Sequence, residues 1–121
     1  MPQINVHHGK KIPMNPEIKY SIVEAIERSL KAFPAIDICR KGFDPDFFLR
    51  EFAGHERKLT IFIIGLFRNP SRTNEIVKGW TEAMFSEIAK VLREHFKFAI
   101  TLEIVPIMVE NPEICTFGPI H

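Results

Sequence analysis

The feature that most constrains this chain is a pattern that occurs twice. A strand-like apolar segment, a turn and an amphipathic helix follow one another from residue 2 and again from residue 59. Thr73, the predicted cap of the second helix, lies 58 positions after Asn15, the predicted cap of the first. Shifted by that distance, Ile4 falls on Phe62, Val6 on Ile64, Ile22 on Trp80, Ile26 on Met84 and Leu30 on Ile88. Two strand–helix–strand units in tandem predict an α+β fold.

Each predicted helix carries one apolar stripe and a recognisable start. In the first, about Pro16 to Phe33, isoleucine or leucine recurs every four positions, which is typical of a helix that packs on one face. Asn15 can accept a backbone N–H, and Pro16 suits the first turn, where no donor is needed. The second helix, about Asn74 to Phe96, has Thr73 as its predicted cap.

Four strands are predicted beside these helices. They are Pro2–His7, Ile36–Arg40, Leu59–Phe67 and Phe98–Val105, whereas residues 47–52 are predicted to form a loop or a short hairpin. Two units side by side give a four-stranded sheet with both helices on one face. The third strand is apolar on both sides, which is typical of a strand covered on two faces. Because the chain offers no second cover, we expect a closed homo-oligomer.

Length and composition limit the classes of protein. At 121 residues the chain is expected to be one domain, with repeat units at about 2–57 and 58–121. A net charge of +1 with dispersed lysine and arginine argues against a nucleic-acid partner. The longest apolar run, Leu59 to Phe67, is too short to span a bilayer. Cys39 and Cys115 lack metal or redox spacing, and no leader segment is visible, so we expect a cytoplasmic protein. The redox state of the two cysteines stays open.

Met1-Pro2, residues 66–75 and residues 111–118 are three segments that together resemble the tautomerase superfamily, in its form with two fused β-α-β units. Met1-Pro2 leads straight into a strand, as the family's first residues do. Residues 66–75 are similar to the family's strand, Gly-Arg-Ser-x-Glu turn and helix, and residues 111–118 to its Pro-Glu-x-Trp-Ser-Phe-Gly stretch. Ser71 stands where the family has glycine, and Cys115 where tryptophan is common; the turn after the first strand, with Gly9-Lys10-Lys11, is also longer.

The resemblance implies a cofactor-independent isomerase of small keto-enol acids, assembled as a homotrimer with the sheets around a central barrel. Removal of Met1 would leave Pro2 with a free secondary amine, which would act as a general base and then as an acid. By the same resemblance Arg72 binds the substrate carboxylate. Arg68 would be the second arm of that clamp, and Phe117 would form the apolar wall beside the proline.

Each of these residues also has a plain structural interpretation. Pro2 is then an ordinary strand start, Arg72 and Arg68 are solvated loop arginines, and Phe117 is a packing residue. Lys10 and Arg40 are further candidates, for a second site or as a cation from a neighbouring subunit. His7 and His8 are adjacent in a strand, so they should face opposite sides and cannot chelate together.

Two rival functions follow from the same residues. The first is a hydratase, dehalogenase or decarboxylase acting on unsaturated or halogenated acids, in which Asp37 could activate water. The second is a non-catalytic ferredoxin-like module that oligomerises through its sheet. Retention of Met1 would block the amine and favour the module. The sequence alone does not identify the substrate.

Overall fold

A computed structural model describes residues 3–36, 44–51, 53–67 and 70–109. The elements are strand β1 (Gln3–Gly9), helix α1 (Pro16–Lys31), a 3₁₀ turn (Pro34–Ile36), β2 (Asp46–Arg50), β3 (Lys58–Phe67), α2 (Asn74–His95) and β4 (Thr101–Val109). The predicted α+β class is confirmed. None of the helices in these ranges combines the length and apolarity needed to cross a bilayer.

Both helices begin where the sequence predicts. The Asn15 side chain accepts a hydrogen bond from the Ile18 amide at 2.9 Å, and Pro16 occupies the first turn. The Thr73 hydroxyl accepts one from the Ile76 amide at 3.2 Å. Each cap satisfies a backbone donor that the helix itself leaves unpaired.

The strands form one sheet in the order β2-β1-β3-β4. Within each unit the two strands run parallel, β1 with β2 and β3 with β4. The two units join through the antiparallel pair of β1 and β3, in which Val6 lies opposite Ile61. The core contains buried residues of both helices together with the inward side chains of the two central strands. The four-stranded sheet with two helices on one face is therefore confirmed.

The second strand lies later in the chain than the sequence analysis predicts. Ile36 ends the 3₁₀ turn instead of opening a strand, and the remainder of the predicted strand, 37–40, lies outside the described residues. β2 forms instead from Asp46 to Arg50, which overlaps the stretch 47–52 predicted to be a loop or a short hairpin. Phe47 packs against the core and pairs with Val6, while Phe48 points to the other face and pairs with His7. Five residues carry too little periodicity to distinguish such an edge strand from a loop.

The repeat spacing of 58 residues holds for the helices but is wrong for the strands. Ile22, Ile26 and Leu30 are buried, as are their counterparts Trp80, Met84 and Ile88. Ile4 and Val6 are buried too, but the residues 58 positions later are half-buried Phe62 and Ile64, which is 41% exposed.

A β-bulge explains this difference between strands and helices. The ladder pairs Ile4 with Ile63 and Val6 with Ile61, so these four side chains point to the same, inward face. In chain order, Ile4 then corresponds to Ile61 and Val6 to Ile63, a spacing of 57. The register of β3 against β4 then shifts between Ile64 and Leu66, at Gly65 with φ of 78°. This one extra residue restores the spacing of 58 for everything that follows, because a one-residue slip exchanges the faces of a strand.

A buried hydrogen bond and a glycine contact join the two helices. The Trp80 indole N–H donates to the Ser29 hydroxyl at 3.1 Å, and that hydroxyl donates to the Ile26 carbonyl at 2.6 Å. Trp80 is fully buried, so its only polar atom is satisfied inside the core. One residue before Trp80 on α2, Gly79 faces the ring of Phe33, which lies just past the end of α1; a Cβ on Gly79 would stand 2.9 Å from the nearest ring atom.

The sheet face opposite the helices is apolar and open. Phe48, Ile64 and Ile107 are each more than 40% exposed there, with half-buried Phe62 and Val105 between them. We call this surface the open face. Within the described ranges both helices pack on the other side of the sheet, as the sequence analysis expected.

Candidate active site

Three strands bring their ends together at one edge of the sheet. Gln3, the first described residue of β1, lies opposite Ile64 near the end of β3. The Gln3 side-chain amide donates a hydrogen bond to the Asp46 carboxylate at the start of β2. Pro2 itself lies outside the described residues, but it is the neighbour of Gln3 in the chain.

The bulge in β3 lies at this same edge. Gly65 adopts a positive φ, which glycine reaches without the steric cost that a Cβ imposes. Beyond it the strand continues to Phe67, and Leu66 turns into the core, fully buried. The loop that follows carries the family-like turn, and its described part resumes at residue 70.

Arg72 lies in that loop and points inward. Its side chain is buried, at 8% exposure. Nε donates to the Ile36 carbonyl oxygen at 2.9 Å, and Nη2 donates to the same oxygen. The interpretation of Arg72 as a solvated loop arginine is therefore wrong. Its guanidinium ties the β3–α2 loop to the 3₁₀ turn that follows α1 in the first unit.

This position combines two sources of positive potential. Arg72 precedes Thr73, the cap of α2, so its charge lies beside the amino end of a 22-residue helix. Backbone N–H groups and the helix dipole favour an anion at such an end. A guanidinium already held by the Ile36 carbonyl loses little further freedom when it binds a second acceptor.

Among the other candidate residues, the described structure locates only Lys10. Arg68 and Phe117 lie outside the described residues, as do Asp37, Arg40, Cys39 and Cys115. Lys10 follows the last residue of β1, so it lies at the opposite end of the sheet, with an exposed side chain. Among the described residues, no three His, Cys, Asp or Glu side chains are grouped to hold a metal ion.

A second cluster lies on the open face, and the sequence analysis missed it. The His7 ring stacks on Phe48 with 5.0 Å between ring centroids, and meets Phe62 edge-on at 5.1 Å. The Arg50 guanidinium lies 5.9 Å from the centre of the Phe62 ring. Burial lowers the pKa of His7, and the charges of Arg50 and His8 lower it further. The prediction that His7 and His8 face opposite sides is confirmed, because His8 pairs with buried Leu59.

A polar row crosses the open face beside this cluster. The Arg50 guanidinium donates to the Thr60 hydroxyl at 3.4 Å, and Thr60 donates to the Glu103 carboxylate at 3.4 Å. Lys58 lies 3.5 Å from the same carboxylate. The open face therefore has a polar end and an apolar end. The alternation of Phe48 with Arg50 is the sequence signal for this arrangement, and the prediction of a loop or short hairpin over residues 47–52 misses it.

Comparisons by sequence return nothing: no family model matches the chain, and no curated protein does either. Comparison of folds does find relatives. A 5-carboxymethyl-2-hydroxymuconate isomerase from Deinococcus radiodurans R1 superposes with a TM-score of 0.60 at 17% identity, covering 98% of this chain and 88% of that one.

Two further solved structures have the same fold. A fused 4-OT, described as an asymmetric trimer, has a TM-score of 0.59 at 16% identity and covers 98% of this chain and 92% of its own. A malonate semialdehyde decarboxylase has a TM-score of 0.59 at 9% identity, with the same coverage of 98% and 92%. At these identities the likeness concerns the fold. The resemblance seen in the sequence is confirmed at that level: this chain has the fold of the tautomerase superfamily.

Proposed function

We propose that this protein is a cofactor-independent tautomerase that interconverts the keto and enol forms of small carboxylic acids. Pro2, freed by removal of Met1, would take a proton beside the substrate carbonyl and return it to another carbon. The role requires an amine that is neutral at pH 7, with a pKa below the ordinary α-amine value of about 8. Apolar surroundings and nearby cations both move an amine in that direction.

The position of Arg72 is the observation that carries this proposal. Its cation is buried at the edge of the sheet where β1 begins, and Gln3 beside that edge is the next residue after Pro2. A base and a carboxylate-binding cation at one edge are what enolisation of an α-keto acid needs. Arg68, four residues earlier in the same loop, would complete the clamp, and Phe117 would exclude water from the amine.

We further propose that the protein forms a homotrimer through its open face and works in the cytoplasm. The support for the trimer is the apolar surface that includes Phe48, Ile64 and Ile107, together with the trimeric state given for a fused 4-OT of the same fold. Burial of large apolar side chains is the main favourable term in such an assembly.

A second candidate function is suggested by the decarboxylase that shares this fold. In a hydratase or decarboxylase, a Pro2 that stays charged would act as an acid. The pH profile separates the two roles. An enzyme that uses Pro2 as a base loses activity as pH falls through the pKa of the amine, whereas one that uses it as an acid loses activity as pH rises through that pKa.

The proposal is tested with the processed protein, after intact mass has established that Met1 is absent. Phenylpyruvate enol and 2-hydroxymuconate are followed by their ultraviolet absorbance across pH 5 to 9. We expect enol-to-keto turnover that rises with pH through an apparent pKa below about 8. Activity confined to hydration or decarboxylation, or a profile that only falls with pH, would favour the second candidate. No turnover with either substrate would count against an enzyme of this class.

A further inference from the structure

A cavity of about 270 Å³ lies at the far end of the molecule from Arg72. Its walls come from the second half of α2 and from the segment that leads into β4. Six apolar residues form most of the wall: Phe85, Ala89, Leu92, Phe98, Ile100 and Leu102. β4 begins at Thr101, opposite Lys58 at the start of β3, whereas Arg72 follows the end of β3. The cavity is therefore distinct from the proposed active site.

The cavity exists because α2 has a second apolar stripe. Phe85, Ala89 and Leu92 recur at spacings of four and three, which aligns them on one side of the helix, and Phe96, the residue that caps its end, follows four positions later. This side lies next to the main stripe, yet Phe85 remains 46% exposed. The facing segment was predicted to be strand from Phe98, but β4 starts at Thr101. Residues 98–100 are thus outside the ladder and line the cavity instead.

One cation, Arg93, lines this apolar cavity. Its neighbours one turn earlier on α2 are Ala89 and Lys90, and the residues three and four positions later, just past the end of the helix, are Phe96 and Lys97, so no acid stands at these positions. Within the described ranges Arg93 has no carboxylate partner. A second cation is close by, because the Arg57 guanidinium lies 5.0 Å from the centre of the Phe98 ring.

From this combination we infer that the cavity binds a small amphipathic monocarboxylate, with its apolar body against the phenylalanines and its carboxylate on Arg93. A cavity of about 150 Å³ can hold benzene, so this volume suits one ring with a short chain. The carboxyl end of α2 by itself disfavours an anion. The charge of Arg93 is therefore required for the carboxylate, and Arg57 adds to it.

The probe for this site is 3-phenylpropanoate, with 3-phenylpropanamide as the uncharged analogue. Its affinity is measured by isothermal titration calorimetry, and its location by amide chemical shifts in the ¹⁵N-labelled protein. Arg93→Gln removes the charge, and Ala89→Leu fills the cavity. Lys78→Gln is the matched control, because Lys78 is an exposed cation on the same helix and does not line the cavity. Arg72→Ala reports on the other site.

We expect the amide chemical shifts to change in residues 85–102. The uncharged amide should bind about tenfold more weakly or worse, and so should 3-phenylpropanoate with Arg93→Gln, because each loses a charge-assisted hydrogen bond. Ala89→Leu should abolish the shifts in residues 85–102, whereas Lys78→Gln should bind at this cavity within about twofold of the parent and Arg72→Ala should keep those shifts. Equal affinity in Arg93→Gln, or shifts confined to the Arg72 loop, would overturn the inference. Thermal melting of each variant verifies folding, and Arg93→Gln alone decides if Ala89→Leu does not fold. The proposed enzyme activity is independent of this outcome.

Discussion

At the scale of single residues, Arg72 has a structural contact as well as a proposed binding role. Its bonds to the Ile36 carbonyl connect the β3–α2 loop of the second unit to the 3₁₀ turn after α1 in the first. A carbonyl that accepts from a buried guanidinium loses that partner when the side chain is shortened, and an unsatisfied buried polar group is costly. The two roles of Arg72 can be separated because one affects folding and the other affects only turnover.

The first prediction concerns Arg72→Ala. We expect it to lower the free energy of unfolding by about 1–3 kcal/mol, since the Ile36 carbonyl is left without its donor. In protein that remains folded, kcat/KM should fall by a further factor equivalent to about 2–4 kcal/mol, from the lost carboxylate contact. Arg72→Lys should recover only part of both, because an ammonium lacks the fork of a guanidinium. Urea titration and steady-state kinetics measure the two effects. A variant unchanged in both would show that Arg72 has neither role.

The second prediction concerns His7 and pH. Burial, Arg50 and His8 hold its pKa in the folded protein below the ordinary value of 6.5. Folding therefore favours the neutral ring. The contribution of His7 to the free energy of unfolding is fully present above pH 6.5 and is lost as pH falls through the pKa of the folded state. His7→Phe keeps the stack on Phe48 without the titration. Its free energy of unfolding should fall less between pH 7.5 and pH 5 than that of the parent. His95→Gln serves as the control, and an equal loss in parent and His7→Phe would contradict the account.

At the scale of elements, the two helices are joined through Ser29 and Trp80. The third prediction is that Ser29→Ala destabilises the protein by about 1–3 kcal/mol, because the buried indole N–H is left without an acceptor. Adding Trp80→Phe to Ser29→Ala removes the orphaned donor. The double variant should then lose less stability than the sum of the two single changes, as measured by urea unfolding. Simple additivity would mean that the hydrogen bond contributes nothing.

The helices could be predicted from the sequence, and the strands only in part. Caps at Asn15 and Thr73 and a four-residue apolar recurrence determine a helix locally, without reference to the rest of the fold. The edge strand β2 could not be recognised, since its five residues take their conformation from pairing with β1. Gly65 was visible as a glycine within a strand, which suggests a bulge, but its effect on the repeat required the ladder. Arg72 could be named by resemblance, but its contact with Ile36 depends on tertiary structure.

At the scale of the whole molecule, the open face supports the proposed assembly. Its exposed apolar side chains, Phe48, Ile64 and Ile107, come from three different strands and form one surface. A monomer rarely leaves such a surface in water. Assembly would also enclose the polar row from Arg50 to Glu103, whose groups already have hydrogen-bond partners, and His7, whose ring stacks on Phe48.

The fourth prediction is that Ile64→Lys converts a trimer to a monomer in light scattering, because it inserts a charge into the buried interface. Leu49→Lys is the matched control. Leu49 is 53% exposed, compared with 41% for Ile64, but it lies on the helix side of the edge strand. The control should stay trimeric, and both variants should retain their helical circular dichroism. A parent protein that is monomeric at micromolar concentration would contradict the assembly.

The account as a whole depends on the amine of Pro2. The most direct measurement compares kcat/KM on phenylpyruvate enol for the processed protein and for a protein with one glycine added before Pro2. The added residue converts the amine to an amide, which cannot accept the proton, while the strand from Gln3 onward is unchanged. The account predicts that the extended protein has no turnover above background, with the same melting temperature and the same oligomeric state. Equal rates for the two proteins would contradict it, and would leave Pro2 as the residue before a strand.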